Sequence, residues 1–203
     1  MTPLNKVLFV SKEETMINFM NNNRNVIGVL SILGMFAVWS NTANAAMNME
    51  NNISNKVVSE IPASQEALSV SKAQNILEEY KNYTKLTDTE LKELLWAVGF
   101  RGNHLTEAWA VAKKESGGRP LALNQSHRTG DSSYGLFQIN MIGDLGPDRR
   151  DKFNLNSNAE LFNPVLNAQI AFYMSNEGQD WTAWHGITPR TKSLMKEFPT
   201  NSL

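Results

Sequence analysis

One predicted helix ends in a carboxylate on its apolar side, and this feature constrains the chain more than any other. The segment "AWAVAKKESGGRP", residues 108–120, carries apolar residues at helical spacing. At about 100° per residue, Glu115 falls beside Ala108 and Val111, whereas Lys113 and Lys114 swing away as a solvated face. Two glycines and a proline follow. The pattern predicts a helix over about residues 104–116, with Glu115 at the end of its buried stripe.

Two interpretations of Glu115 are open at this point. Loss of hydration and the negative end of the helix dipole both disfavour the charged form of a carboxyl placed there. Such a group can hold a proton near neutral pH and serve as a general acid. A helix that frays at Ser116 would instead leave Glu115 as a solvated or purely structural side chain.

The N-terminal part of the chain is typical of an export signal. An apolar run over residues 26–39 follows Arg24, and Ala43 and Ala45 have the A-x-A spacing of a cleavage site. We therefore expect residues 1–45 to be a signal peptide and the protein to reach the periplasm, the cell wall or the medium. An uncleaved segment would be a membrane anchor, although the run is shorter than the ~20 apolar residues of a spanning helix. Association with a virion is a further alternative.

Residues 46–84 predict a polar tether followed by an accessory helix. The first part is rich in Asn and Ser and has no helical period. The helix shows an imperfect apolar stripe of Leu68, Ala73, Ile76, Leu77 and Tyr80. The main domain is expected over residues 85–203.

This domain should be mainly α-helical. Thr87 and Glu90 form a predicted capping box before an apolar stripe that Gly99 ends. Asn163 and Pro164 begin another helix, whose stripe is Leu166, Ile170, Tyr173 and Met174. Strand signal is thin: at most "YGLFQIN" is extended, and "GDLGPDRRDKFNL" is predicted to be a loop.

Composition excludes several classes of function. Nineteen Lys and Arg residues balance 20 Asp and Glu residues, so bulk charge does not favour nucleic acid as a partner. The chain has no cysteine, which excludes disulfides and thiolate metal sites. Its three histidines lack the spacing of metal ligands. We expect neither a metal nor another cofactor.

Three motifs then resemble one known family. Cleavage of a glycosidic bond needs a proton donor, and sugars bind to aromatic faces and amide groups. "AVAKKESGG", "GDSSYGLFQIN" and "NAQIAFYMSNEGQDWTAWH" resemble successive motifs of the lysozyme-like lytic transglycosylases of the soluble-lytic-transglycosylase (SLT) type. The resemblance covers about residues 85–186. It departs from the family at Phe137, where Met is common, and at "WTAWHG", where many members have A-Y-N-A-G.

The resemblance implies a lysozyme-like helical domain with a long substrate groove and peptidoglycan glycan strands as its partner. Glu115 corresponds to the catalytic acid/base of the family. The resemblance places Gln138 and Tyr134 along the glycan groove, and Asn140 follows them on the same segment. Trp184, in the stretch that departs from the family, and Tyr173 are further candidates for contact with the glycan, and Tyr173 can equally be a core residue. Protonated Glu115 would cleave the bond between N-acetylmuramic acid and N-acetylglucosamine, and its carboxylate would then help the muramic 6-hydroxyl close onto C1 as a 1,6-anhydro end.

Two alternatives remain at this stage. Asp131 lies near the position where goose-type lysozymes, which this segment also resembles, carry a water-positioning Asp, so a hydrolytic muramidase is one of them. An Asp after Gly130 is also a common turn residue. The second alternative is a peptidoglycan-binding protein that keeps the fold without turnover, since a fold does not guarantee chemistry.

Overall fold

The computed structural model describes residues 63–126 and 131–200. The predicted signal segment and most of the predicted tether lie outside these residues. Within the described ranges, no helix combines the length and the apolar character that crossing a membrane requires. Residues 63–126, 131–151 and 155–200 belong to one compact unit.

Helices dominate the described part of the chain, as predicted. Six α-helices, three short strands and two 3₁₀ helices follow one another there. Their bounds in chain order are α1 Ala63–Tyr80, α2 Asp88–Val98, α3 Gly102–Ser116, β1 Leu123–Ser126, β2 Asp131–Tyr134, β3 Ile139–Asn140, α4 Leu145–Lys152, a 3₁₀ helix Asn158–Phe162, α5 Pro164–Met174, a 3₁₀ helix Thr182–Trp184 and α6 Pro189–Met195.

The start of α2 confirms the predicted capping box. The Thr87 side chain accepts a hydrogen bond from the Glu90 backbone N–H, and the Glu90 carboxylate accepts one from the Thr87 N–H. Gly99 ends the helix with a φ of +131°. Reciprocal capping satisfies backbone donors that a helix start otherwise leaves open, so the helix begins where its sequence predicts.

Helix α1 packs on α2. Ala73, Ile76, Leu77 and Tyr80 of the predicted stripe are buried, and the Tyr80 hydroxyl donates to Glu93 at 2.7 Å. Leu68 is instead exposed. The imperfect stripe therefore marks the correct face of the helix over its second half.

Helix α5 begins as predicted but buries a different face. Asn163 caps it by accepting from the backbone N–H groups of Val165 and Leu166, and Pro164 is the first helical residue. The buried residues are Pro164, Val165, Asn167, Ala168, Ile170, Ala171 and Phe172. Of the predicted stripe, only Ile170 is fully buried. Apolar residues occur on every side of this helix, so periodicity could not single out its inner face.

A small antiparallel sheet follows α3. Its strand order is β1-β2-β3, with Ser126 opposite Asp131 and Tyr134 opposite Ile139. The segment "YGLFQIN" is therefore not one extended strand. Residues 135–138 form a tight turn between β2 and β3, because Gly135 and Gln138 both adopt positive φ values, +75° and +48°.

The predicted loop after β3 contains helix α4, which corrects that prediction. Its sequence LGPDRRDK is almost wholly polar and buries only Gly146, so it lacks the apolar stripe by which a helix is recognised.

Near the C-terminus, α6 packs against α3, and Phe198 meets the Trp109 ring edge-on at 5.9 Å. Both contacts hold the helix that carries Glu115.

Candidate active site

The end of α3 is shaped by Ser116 and two glycines. Ser116 is 3 % exposed, and its hydroxyl donates to the Ala112 carbonyl while accepting from the backbone N–H groups of Gly118 and Arg119. Gly117 caps the helix in the left-handed conformation, with a φ of +69°. The helix therefore does not fray at Ser116, and the turn after it is fixed by buried hydrogen bonds.

Glu115 lies on the last turn of α3 with a partly buried side chain, 22 % of which is exposed. Its Oε1 atom pairs with Lys114 Nζ at 2.9 Å. Oε2 has no hydrogen-bond or ion-pair partner among the described residues and is thus the oxygen available to a ligand. The carboxylate is held in place by the helix and by one cation.

The two lysines before Glu115 do not form the solvated face that the sequence predicts. Only 13 % of the Lys114 side chain and 21 % of the Lys113 side chain are exposed. Lys113 pairs with Asp88 at 2.7 Å, whereas Lys114 also donates to the Trp184 carbonyl at 2.7 Å. Their aliphatic stems cover the helix, and their charges serve contacts between distant segments.

Trp184 connects the Glu115 helix with the turn after β2. It is 5 % exposed, and its indole N–H donates to the Phe137 carbonyl at 2.7 Å. Its ring packs edge-on against those of Trp181 and Phe137, at 5.3 and 6.0 Å. A sugar-stacking role for Trp184 stays a prediction, and only a small part of this residue is open to solvent in the structure.

Gln138 ends that turn and is partly exposed. Its Nε2 donates to the carbonyls of Ala122 and Gly135, at 3.2 and 3.0 Å, so these two acceptors fix the orientation of the amide. The amide oxygen has no partner among the described residues and can accept a hydrogen bond from a ligand. A contact path thus runs from Glu115 through Lys114, Trp184 and Phe137 to Gln138.

Tyr134 lies at the end of β2, before the turn. It is 8 % exposed, with its ring 5.5 Å from that of Phe162. Its hydroxyl accepts from Ser132 Oγ and Gln125 Nε2, at 3.3 and 3.4 Å. Hydrogen bonds from Ser132 and Asn158 lower the pKa of Tyr134, because they favour the charged phenolate oxygen. The phenol oxygen is surrounded by donors.

Asp131 and Asn140 lie on the sheet with their side chains engaged locally. The Asp131 carboxylate accepts from Asn124 Nδ2 and Ser133 Oγ, both at 2.6 Å. Asp131 begins β2 and is not a turn residue. The Asn140 side chain accepts from the Ile142 backbone N–H at 2.9 Å. Both oxygens of Asp131 thus have donors from its own sheet.

Tyr173 lies on α5 and is partly exposed. At about 100° per residue, it projects about 240° around the helix from Asn167, which contacts the turn before Gln138. Tyr173 and Asn167 therefore point to different sides of α5.

Asn167 is the residue of this region that sequence reasoning missed. It is wholly buried, and its amide bonds to the backbone of Tyr134, Phe137 and Leu161. The sequence offers one signal for this role. Asn167 stands between Leu166 and Ala168 in an apolar helix, and a buried amide there needs hydrogen-bond partners.

Within the ranges 63–126 and 131–200, no group of three or more His, Asp or Glu side chains is arranged to hold a metal ion. The candidate site consists of the Glu115 carboxylate, the adjacent Lys114 ammonium, the Gln138 amide on the tight turn and the Tyr134 phenol at the end of β2. Such a set can donate and accept protons and can bind hydroxyl and acetamido groups.

The fold and this arrangement define a small helical domain with a carboxylate at a helix end, next to a three-stranded sheet. A comparison with protein families agrees: residues 92–186, just under half of the chain, match the family model described as "Lysozyme like domain", of the SLT type. This region is therefore a lysozyme-like domain, which confirms the resemblance seen in the motifs. No curated protein and no solved structure matches the chain.

The family match supports cleavage of peptidoglycan glycan as the general activity of this domain, and peptidoglycan as what it binds. Action on peptidoglycan implies a location outside the cytoplasm.

Proposed function

We propose that this protein is a peptidoglycan lytic transglycosylase in which Glu115 is the general acid/base. The observation that carries the proposal is the placement of Glu115, partly buried at the end of α3 with Oε2 available, in a region that matches a lysozyme-like domain. The path through Lys114, Trp184 and Phe137 ties this helix end to the Gln138 turn. A carboxyl and an amide acceptor are thus carried on connected elements.

In the proposed reaction, protonated Glu115 donates its proton to the glycosidic oxygen between N-acetylmuramic acid and N-acetylglucosamine, and that bond breaks. The Glu115 carboxylate then accepts the proton of the muramic 6-hydroxyl, whose oxygen bonds to C1. One carboxyl serves both steps, and the substrate's N-acetyl group shelters the cationic centre. Gln138, Tyr134 and Asn140 are proposed to contact the glycan, and the predicted roles of Tyr173 and Trp184 remain to be tested with them.

The proposal extends to the location of the protein. Its substrate lies outside the cytoplasmic membrane, and the apolar run over residues 26–39 followed by Ala43 and Ala45 supplies an export signal. Determination of the mature N-terminus tests this part: a chain that begins after Ala45 supports export with cleavage, and an intact chain in the membrane fraction supports an anchor.

Product analysis tests the reaction. Purified peptidoglycan is digested with the wild type, with Glu115→Gln and with Glu107→Gln, and the muropeptides are identified by mass spectrometry. Glu107 is the matched control, because it lies on the same helix with a similar side-chain exposure of 24 % and, within the part of the chain that the structure describes, contacts His104 as its one charged partner. Anhydro ends, lighter than reducing ends by one water, should form with the wild type and Glu107→Gln and be lost with Glu115→Gln.

The other outcomes identify the alternatives. Reducing ends without anhydro ends would replace the transglycosylase with a muramidase, and Asp131→Asn would then test whether that carboxylate positions the water. Binding of peptidoglycan without any cleavage would leave a non-catalytic wall-binding protein. Full activity of Glu115→Gln would remove Glu115 from the chemistry.

A further inference from the structure

The turn that carries Gln138 holds a backbone conformation that its sequence does not favour. Gln138 has a φ of +48°, in the left-handed region that a residue with a Cβ atom rarely adopts. Gly135 at the other end of the turn has a φ of +75°. A conformation of this kind persists only where surrounding contacts determine it, and such positions cluster at functional sites.

The contacts that determine this turn come largely from one buried side chain. Asn167 on α5 is wholly buried. Its Oδ1 accepts from the Phe137 backbone N–H at 2.9 Å, and its Nδ2 donates to the carbonyls of Tyr134 and Leu161, each at 2.9 Å. One acceptor and both N–H groups are used, so the orientation of the amide is unambiguous.

The residue before Gln138 is therefore held at both of its backbone polar groups. The Phe137 N–H bonds to Asn167, and the Phe137 carbonyl accepts from Trp184 Nε1 at 2.7 Å. The Phe137 ring is fully buried and stacks with Trp181 at 6.2 Å. Gln138 follows a residue that has little freedom to move.

Gly135 leaves the space that this amide occupies. A Cβ atom at position 135 would lie 2.3 Å from Asn167 Nδ2 and 2.3 Å from the Leu161 carbonyl oxygen. The amide of Asn167 thus packs directly against the bare face of the turn.

We propose that Asn167 is a positioning residue: it fixes the turn of residues 135–138, and with it the Gln138 side chain, on an element that Trp184 and Lys114 connect to the Glu115 helix end. The functional half of this inference rests on the proposed function, in which Gln138 binds the glycan. The structural half, that Asn167 holds the turn, stands on the three hydrogen bonds alone.

The test uses the full chain with Asn167→Leu, which keeps the side-chain size and removes all three bonds, and Asn167→Asp, which keeps the acceptor and removes the donors. Ser175→Ala is the matched control. Ser175 is equally buried at the other end of α5 and bonds to Phe172 and Gly178, away from the turn. Each variant is measured for thermal stability, for amide hydrogen exchange by NMR and for peptidoglycan cleavage per folded molecule.

We expect Asn167→Leu to speed exchange of the Phe137 and Gln138 amides by about tenfold or more. Without the three hydrogen bonds, the turn can open while the rest of the domain stays folded. Cleavage should fall about 10-fold to 100-fold, since a small misplacement of a binding group lowers the rate strongly. Asn167→Asp should retain more protection at Phe137 than Asn167→Leu. Ser175→Ala should lower the melting temperature but leave exchange at Phe137 and cleavage within about twofold of the wild type.

Unchanged exchange at Phe137 in folded Asn167→Leu would overturn the inference, as would a loss of cleavage in Ser175→Ala equal to that in the Asn167 variants. If Asn167→Leu does not fold, Asn167→Asp decides by exchange at Gln138 and by cleavage, because it keeps the acceptor for the Phe137 N–H and loses both donor bonds. A wild type that cleaves no peptidoglycan would refute the proposed function, and the exchange data would still decide whether Asn167 holds the turn.

Discussion

Gly135→Ala should be one of the most destabilising single substitutions in this domain, and Gly143→Ala provides its control. Both glycines adopt left-handed backbone angles, with φ values of +75° and +51°. A Cβ atom at Gly135 would lie 2.3 Å from both Asn167 Nδ2 and the Leu161 oxygen, whereas one at Gly143 would meet no atom within 4 Å. The pair therefore separates backbone strain from crowding.

The magnitudes follow from these two environments. An alanine in the left-handed region costs about 1–2 kcal/mol, and this is the whole expected loss for Gly143→Ala. At Gly135 the same strain is joined by overpacking, about 1–3 kcal/mol, and by the loss of a buried hydrogen bond of Asn167, about 1–3 kcal/mol. We expect Gly135→Ala to lower the free energy of unfolding by about 3–8 kcal/mol, a large part of a typical domain's stability.

Guanidinium-induced unfolding, followed by circular dichroism, measures both losses on the same scale. The reasoning requires the loss at Gly135 to exceed the loss at Gly143 by at least about 2 kcal/mol with similar denaturant dependence. Equal losses would refute it, because they would mean that the turn relaxes around the added carbon. The Asn167 contact would then be weaker than its geometry indicates.

Three further predictions concern the elements around the site. Thr87→Ala should lower the unfolding free energy by about 1 kcal/mol in thermal denaturation, because it removes the cap of α2. Ser116→Ala should cost about 1–3 kcal/mol in the same assay and also reduce peptidoglycan cleavage, because the backbone N–H groups of Gly118 and Arg119 lose their bonds to the buried Ser116 hydroxyl. Burial and the hydrogen bond to Glu93 raise the pKa of Tyr80 above its ordinary value. Above about pH 10 the unfolded state releases the Tyr80 proton while the native state keeps it, so the free energy of unfolding falls as pH rises. Tyr80→Phe should make this fall less steep. Denaturant titrations at several pH values measure it.

The first of these predictions has a control variant, and the other two have a result that would contradict them. Thr188→Ala removes a similar cap from the short helix α6 and should leave α2 intact. An unchanged cleavage rate in a Ser116→Ala variant that is less stable would show that the turn after α3 does not position Glu115. An equally steep alkaline loss of stability in Tyr80→Phe would assign that loss to another group.

Much of the helical framework could be predicted from local sequence. The helix ends depend on neighbouring residues and on backbone preferences that act locally. Examples are the capping box at Thr87, the stop at Gly99, the helix start at Asn163 and Pro164, and the end of α3 at Gly117. Helix α4 was missed because a polar helix leaves no apolar period. The inner face of α5 was assigned incorrectly because its apolar residues surround the helix.

The sequence by itself determined a helix that reaches about residue 116, the two glycines after it and the resemblance of the domain to a lysozyme-like one, but it left open whether that helix frays around Glu115. Only the tertiary structure decided what surrounds that carboxylate. Lys114 turns inward to Trp184, Trp184 bonds to Phe137, and Asn167 holds the turn before Gln138. These partners are 70, 47 and 30 residues apart. A local pattern predicts which backbone groups a helix leaves open, but a buried polar side chain finds its partners only when distant segments pack together.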